Sequence, residues 1–467
     1  MAWRPSPRSN RWSSTAARSA LVRFCAAASA AAALGGSAWA GPLTYGTAGA
    51  NRVVGGQGTF PRLVVLSVPT EVPVRWIVSL PPKRLAAIDA GGTLWIFEIS
   101  QTELQVLGRY GEVASADGPP AVAALGEGRR AVVAVSPDGR LLVWSDGALR
   151  TYDVGSSLSR LTFPVPVNLE GKSWDDLLAV AADGGLVLIA GLPSVPRVVA
   201  RVDAQALPEA RITVGSLDGS GALQAMVLSD RTERYPRGAL GDRIEAGTIT
   251  VVDVAANALT VRSRYVVKAP AVIEDLIPIV APIGEGRRPA LVVVKSTGRQ
   301  GSSVLVLGWR EGGLEPLAEG PAFGLNHRWV HVIGAADVTG DGIPELLAVN
   351  TPHVSGVLVA YERRVASLIP VSKALGYSSH ALGSRNQDQA VIADMSGNGR
   401  LEVILPRQSR DGLAALELSN GRWEERWFLH LGASVLSNVL VDDLDGDGLL
   451  DHAVADRRAL HDFLSVR

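Results

Sequence analysis

Cysteine is almost absent from this chain. The one copy, Cys25, falls within the first 40 residues, and those residues read as a removable leader. A chain without cysteine after that point has no disulfide framework, so other staples must hold it. Acidic residues are missing from the same segment, which carries Arg4, Arg8, Arg11, Arg18 and Arg23. After it, no apolar run is long enough to span a bilayer. A basic surplus is missing too: residues 41–467 hold 40 basic against 46 acidic side chains. That balance gives no electrostatic case for nucleic acid or an anionic membrane. There is no G-x-S-x-G, no P-loop and no cysteine nucleophile after the leader. No helical periodicity of useful length occurs after it either.

What is present begins with the leader itself. Arginines are followed by an apolar stretch, Phe24 to Leu34, then Gly35-Gly36-Ser37 and Ala38-Trp39-Ala40. This is the layout of a secretory signal peptide, with cleavage expected after Ala40. Residues 1–40 are therefore expected to be a Sec-type signal and the product periplasmic or secreted. Residues 41–60 are expected to be a flexible lead-in.

From 61 to 467 a strand–turn–strand unit recurs. Apolar, β-favouring runs follow Gly- or Asp-containing turns: TLWIFEI, LLVWS, LVLIA, TITVVDV, SVLVLGW, GVLVAYE, LAALEL and HDFLSV. A further strand follows most of them. A period of about 45–65 residues with four short strands per unit predicts an all-β fold, a β-propeller. Eight blades are expected, with seven as the alternative. The run Arg62 to Val68 has no blade of its own, so it is expected to pair with the last blade and close the ring.

Three loops carry the clearest chemistry. They are Asp337-Val338-Thr339-Gly340-Asp341-Gly342-Ile343-Pro344-Glu345, Asp394-Met395-Ser396-Gly397-Asn398-Gly399-Arg400-Leu401-Glu402 and Asp443-Leu444-Asp445-Gly446-Asp447-Gly448-Leu449-Leu450-Asp451. Oxygen-bearing side chains hold positions 1, 3, 5 and 9 in each, and glycines at positions 4 and 6 permit a sharp turn. Hard cations such as Ca²⁺ take six to eight oxygen ligands, backbone carbonyls included. The expected ligand sets are Asp337, Thr339, Asp341, Ile343 and Glu345; Asp394, Ser396, Asn398, Arg400 and Glu402; and Asp443, Asp445, Asp447, Leu449 and Asp451. Ile343, Arg400 and Leu449 would contribute carbonyls. Three Ca²⁺ sites follow, tightest where carboxylates are most numerous, at 443, and weakest at 394, where Arg400 adds repulsion. These are not EF-hands: position 12 is Ala348, Leu405 or Val454, and the flanks are strands.

The loops resemble those of the VCBS/FG-GAP repeat family, whose propellers include the head of the integrin α subunits. Phe323-Gly324 and Gly334-Ala335 are faint echoes of its dipeptides. The resemblance implies calcium between the first and second strands of a blade, with ligands bound on the opposite face. Five equivalent loops have lost the pattern and are expected to be empty. They lie at Pro81–Arg84, Leu125–Arg130, Asn168–Lys172, Ser216–Gly221 and Ile283–Arg288. In the third of these, Lys172 stands at position 5, where its ammonium could take the cation's place.

All seven histidines lie between 327 and 461. His327, His380 and His430 precede the first strands of three successive units. With Trp329, Tyr377, Arg385 and Asn386 they form a candidate ligand face, suited to a sugar or protein surface. The expected function is an exported calcium-binding propeller with a protein or glycan partner, calcium being structural. The alternative is a polysaccharide lyase or hydrolase using the His380/His430 face.

Overall fold

Residues 51–324 and 328–466 are described by a computed structural model. Residues 1–40, expected to be a signal, residues 41–50 and His327 lie outside the described residues. All of the described residues belong to one compact unit. No helix among them is long and apolar enough to cross a membrane.

Apart from one 3-10 turn at Glu285–Arg287, the regular structure is strand. Among the described residues the ladders form six sheets, four of four strands, one of five and one of thirteen. The largest links three antiparallel runs through Val272–Ile273 and the parallel pair of Glu319 with Ser367, and counting those runs separately numbers the sets one to eight in chain order. The first is Val74–Ser79, Arg84–Asp89, Leu94–Ile99 and Leu104–Tyr110. The sixth is Val330–Ala336, Glu345–Asn350, Val357–Arg364 and Ser367–Leu375. The seventh is Val391–Asp394, Glu402–Pro406, Gly412–Ser419 and Arg422–His430. The eighth takes Leu440–Asp442, Asp451–Ala455 and Ala459–Ser465 from one end of the chain and Leu63–Pro69 from the other. Leu63 lies opposite Ser465 and Pro69 opposite Ala459 in that antiparallel pair.

Burial explains the sequence pattern. The first three strands of a set are mostly apolar and buried on both faces, as in Leu141–Ser145, which is buried at every position. The fourth strand alternates, as in Ser367–Leu375, because only one of its faces is covered. Each set packs against the next through a shared apolar cluster. Val78 and Ile88 of the first meet Val132 and Leu142 of the second. Leu405 and Leu416 of the seventh meet Leu347 and Leu358 of the sixth. Leu460 and Leu464 of the eighth pack on Leu85 and Phe97 of the first.

The expected flexible lead-in is corrected by the structure. Val53–Gln57 is a strand, paired in parallel with Val391–Asp394, the first strand of the seventh set. Asn51 exchanges two hydrogen bonds with the Ala335 backbone at 2.8 and 2.6 Å. Arg52 reaches Asp388 at 2.9 Å. Composition misleads here, because Gly58 serves close approach rather than looseness: a Cβ on it would lie 2.5 Å from the Met395 carbonyl oxygen.

Candidate functional site

The three Asp-rich loops join the first and second strands of the sixth, seventh and eighth sets, and they share one hydrogen-bond template. The amide of position 6 donates to the position 1 carboxylate: Gly342 to Asp337 at 2.7 Å, Gly399 to Asp394 at 2.8 Å and Gly448 to Asp443 at 3.0 Å. The amide of position 7 donates to the side chain at position 5: Ile343 to Asp341, Arg400 to Asn398 and Leu449 to Asp447. The amides of positions 2 and 3 both donate to one oxygen of position 9, which is Glu345, Glu402 or Asp451. Glycines 446 and 448 take φ of 76° and 87°, a region that penalises a side chain.

In the 443 loop the position 9 carboxylate also anchors the backbone. Asp451 accepts backbone amides on both oxygens, the second from Ser465 at 2.7 Å. It clasps the loop to its own set. The convergent donors are Asp443, Asp445 and Asp447, whose carboxylate oxygens lie within 4.8 Å of one another. Among the described residues this is the one group of three acidic, His or Cys side chains so placed. Burial raises the Asp445 pKa, and Asp447 and Asp443 add to the rise. Asp451 is pushed up to about 7, mainly by burial.

A hard cation fits the donors left over. Asp443 Oδ1 is buried without a hydrogen-bond partner, whereas the Ser396 and Glu402 side chains bond to each other. Buried oxygens of this kind are costly unless a donor or ion meets them, and an ion among the acids reverses the repulsion that lifts their pKa values. The Arg400 guanidinium, expected to repel a cation, pairs with Glu417, Nε to Oε1 3.1 Å, and the same carboxylate takes Arg426.

Two of the five degenerate loops show what stands where acids have been lost. In the fourth set Leu217 donates to Gln224 at 2.9 Å, Gly221 to Ser216 at 3.0 Å and Ala222 to Ser220 at 3.1 Å. These are the same position 2, 6 and 7 bonds, made to neutral oxygens. In the third set Lys172 Nζ lies 3.5 Å from Glu170 and 3.6 Å from Asp176, the position 3 and 9 carboxylates. A tethered ammonium stands between them.

The candidate ligand face is largely internal. Trp329, His380 and Asn386 are buried at 2, 1 and 5% exposure. His380 is brought together not with His430 but with His331 and His353. His353 Nε2 lies 2.7 Å from His380 Nδ1, and His331 Nδ1 lies 2.7 Å from Ser379 Oγ. Trp329 stacks on His331 and His353 and meets His380 edge-on. Burial lowers all three imidazole pKa values, His353 to about 4, so they are neutral packing groups near pH 7. His430 ends the outer strand of the seventh set, mostly exposed, 3.7 Å from Asp411. Tyr377 donates to Glu425 at 2.8 Å, and Arg385 pairs with Asp242 at 2.8 Å. The His380/His430 pairing therefore has no common centre.

Sequence reasoning missed the charged network beside these rings. Asp388 receives Arg52 at 2.9 Å on one oxygen and Arg211 at 2.6 Å on the other. Arg211 is 1% exposed and also lies over the Trp76 ring. Nearby acids face one another. Glu245 is pushed up to about 10, by burial first and then by Glu274, Asp242, Glu209 and Asp275. A carboxyl whose folded pKa exceeds its unfolded value of about 4.3 binds more protons when folded. Its stabilisation is full below pH 4.3 and is lost as pH rises towards 10. Glu245→Gln removes this loss, so its urea midpoint should exceed that of the parent by a margin that widens from pH 5 to pH 8. A constant margin would contradict the buried neutral acid.

No family model matches the chain, and no curated protein is significantly similar to it. Solved structures do resemble it. The structure of Saccharomyces cerevisiae Sqt1 aligns with a TM-score of 0.52 at 11% identity, covering 88% of this chain and 100% of that one. Chaetomium thermophilum Sqt1 gives 0.50 at 15% identity over 87% and 98%. The quinohemoprotein alcohol dehydrogenase ADHIIG from Pseudomonas putida HK5 gives 0.52 at 11% identity over 88% and 78%. At such identities the likeness speaks for architecture only. What this chain has in common with them is the β-propeller fold.

Proposed function

We propose that this is an exported, eight-bladed calcium-binding propeller with loops similar to VCBS/FG-GAP repeats, which binds a protein or glycan partner. The eight four-stranded sets are its blades. Leu63–Pro69 closes the ring against Ala459–Ser465, and the apolar contact of the eighth set with the first supports that closure. Calcium is structural and occupies the 337, 394 and 443 loops. The observation that carries the reading is the convergence of Asp443, Asp445 and Asp447 within 4.8 Å, on a template repeated in three successive sets.

The partner side is the end of the sets opposite those loops. In an antiparallel set, the links between the second and third strands and those leading to the next set share that end. Val354, Leu375 and Leu382 lie there at 78, 77 and 72% exposure. Exposed apolar side chains of this kind favour a protein surface over a polar one.

Calcium titration by calorimetry tests the metal assignment. Asp445→Ala should weaken the tightest site about tenfold or more, since carboxylate count sets affinity. The corresponding Ser396→Ala change should affect only the weakest. An unaltered isotherm for Asp445→Ala would refute the assignment.

A further inference from the structure

We infer that residues 51–60 form a strap whose docking is coupled to calcium in the 394 and 443 loops, so that the ion controls whether the strap is held. This inference rests on the calcium reading above. The strap enters beside the first strand of the seventh set, where Ile392 donates to the Arg52 carbonyl at 2.9 Å. It then crosses between the two loops. The Gly58 amide donates to Asp394 O at 2.8 Å, and the Phe60 amide donates to Met395 O at 2.9 Å. From the other side the Leu450 amide donates to Gln57 O at 2.9 Å. Asp394 and Met395 are positions 1 and 2 of one loop, and Leu450 is position 8 of the other. Both loops therefore grip the strap through backbone groups that their metal positions hold in place.

The grip is tight at one residue. A Cβ on Gly58 would lie 2.5 Å from Met395 O and 3.1 Å from Leu450 O, and one on Gly397 would lie 2.5 Å from Gly58 O. Beyond the crossing, Phe60 stacks on Trp427 with centroids 4.1 Å apart, and Thr59 Oγ1 accepts the Val466 amide at 3.1 Å. Without an ion, Asp443, Asp445 and Asp447 repel one another across less than 4.8 Å, and Asp394 repels Glu402 in the other loop. Loop spreading then moves the carbonyls that accept Gly58 and Phe60. By linkage the effect is reciprocal: a docked strap raises calcium affinity by the factor by which calcium favours docking.

Hydrogen exchange and calcium titration of the full chain test this together. In calcium, the Gly58 and Phe60 amides should be protected, and excess EGTA should lower that protection about tenfold or more. The Val187 amide, in the third set, should keep its protection. Gly58→Ala should weaken calcium binding about tenfold, whereas Gly55→Ala, whose Cβ meets nothing within 4 Å, should not. Calcium binding with strap protection unchanged by EGTA overturns the coupling and leaves the calcium reading standing. Equal calcium affinities for the two glycine variants also overturn the coupling. No calcium uptake by the unmodified chain overturns both.

Discussion

Melting in excess EGTA is expected several degrees below melting in millimolar calcium. A ligand that binds only the folded chain stabilises it by RT ln(1 + [L]/Kd), about 2.7 kcal/mol for a site held at 100 times its Kd. Three such loops in successive sets give a large combined effect. The loss should be uneven. The sixth, seventh and eighth sets hold every intact loop, whereas the third holds Lys172 between its acids and the fourth makes the same turn with Ser216, Ser220 and Gln224. Hydrogen exchange after chelation should therefore rise in Glu345–Asn350, Glu402–Pro406 and Asp451–Ala455 and leave Asp176–Val180 unchanged. Identical melting curves with and without chelator would remove calcium from any structural role.

The second large effect needs no ion. Asp388→Ala leaves Arg52 and Arg211 buried, with neither carboxylate oxygen to meet them. Removing one partner of a buried ionic group costs about 3–5 kcal/mol, because the remaining charges stay out of water. The urea midpoint of Asp388→Ala should fall accordingly. The triple change Arg52→Met, Asp388→Leu, Arg211→Met should be far milder, since well-packed apolar side chains often replace such a triad with little loss. If the triple variant were as unstable as the single one, packing rather than unpaired charge would be the cause.

How much of this was readable beforehand depends on the range of each interaction. The inner strands announce themselves because both faces are covered, which makes the four residues from Leu141 to Trp144 continuously apolar. The loops announce themselves because their template is local: every bond joins residues within seven positions of one another. The rest depends on contacts that no window contains. Arg211 and Asp388 are 177 residues apart. His353 joins His380 only because two links at one end of the sixth set converge, while His430 lies beside Asp411. Residues 51–60 looked loose because glycine usually signals freedom, and nothing nearby in sequence shows that Gly58 lies between two loops more than 300 residues away.

The strand Leu63–Pro69 also has a meaning in time. Ser67 Oγ meets His461 Nδ1 at 2.9 Å across 394 residues of chain. During synthesis the early strand is made first and waits, with an open edge, until the strand that covers it has been made. The sets completed in the meantime carry the degenerate loops, and those completed last carry the acidic ones. The pairing of Leu63–Pro69 with Ala459–Ser465 therefore waits until the three acidic loops have been made. A chain that stops short of it leaves the edge of an early strand unpaired.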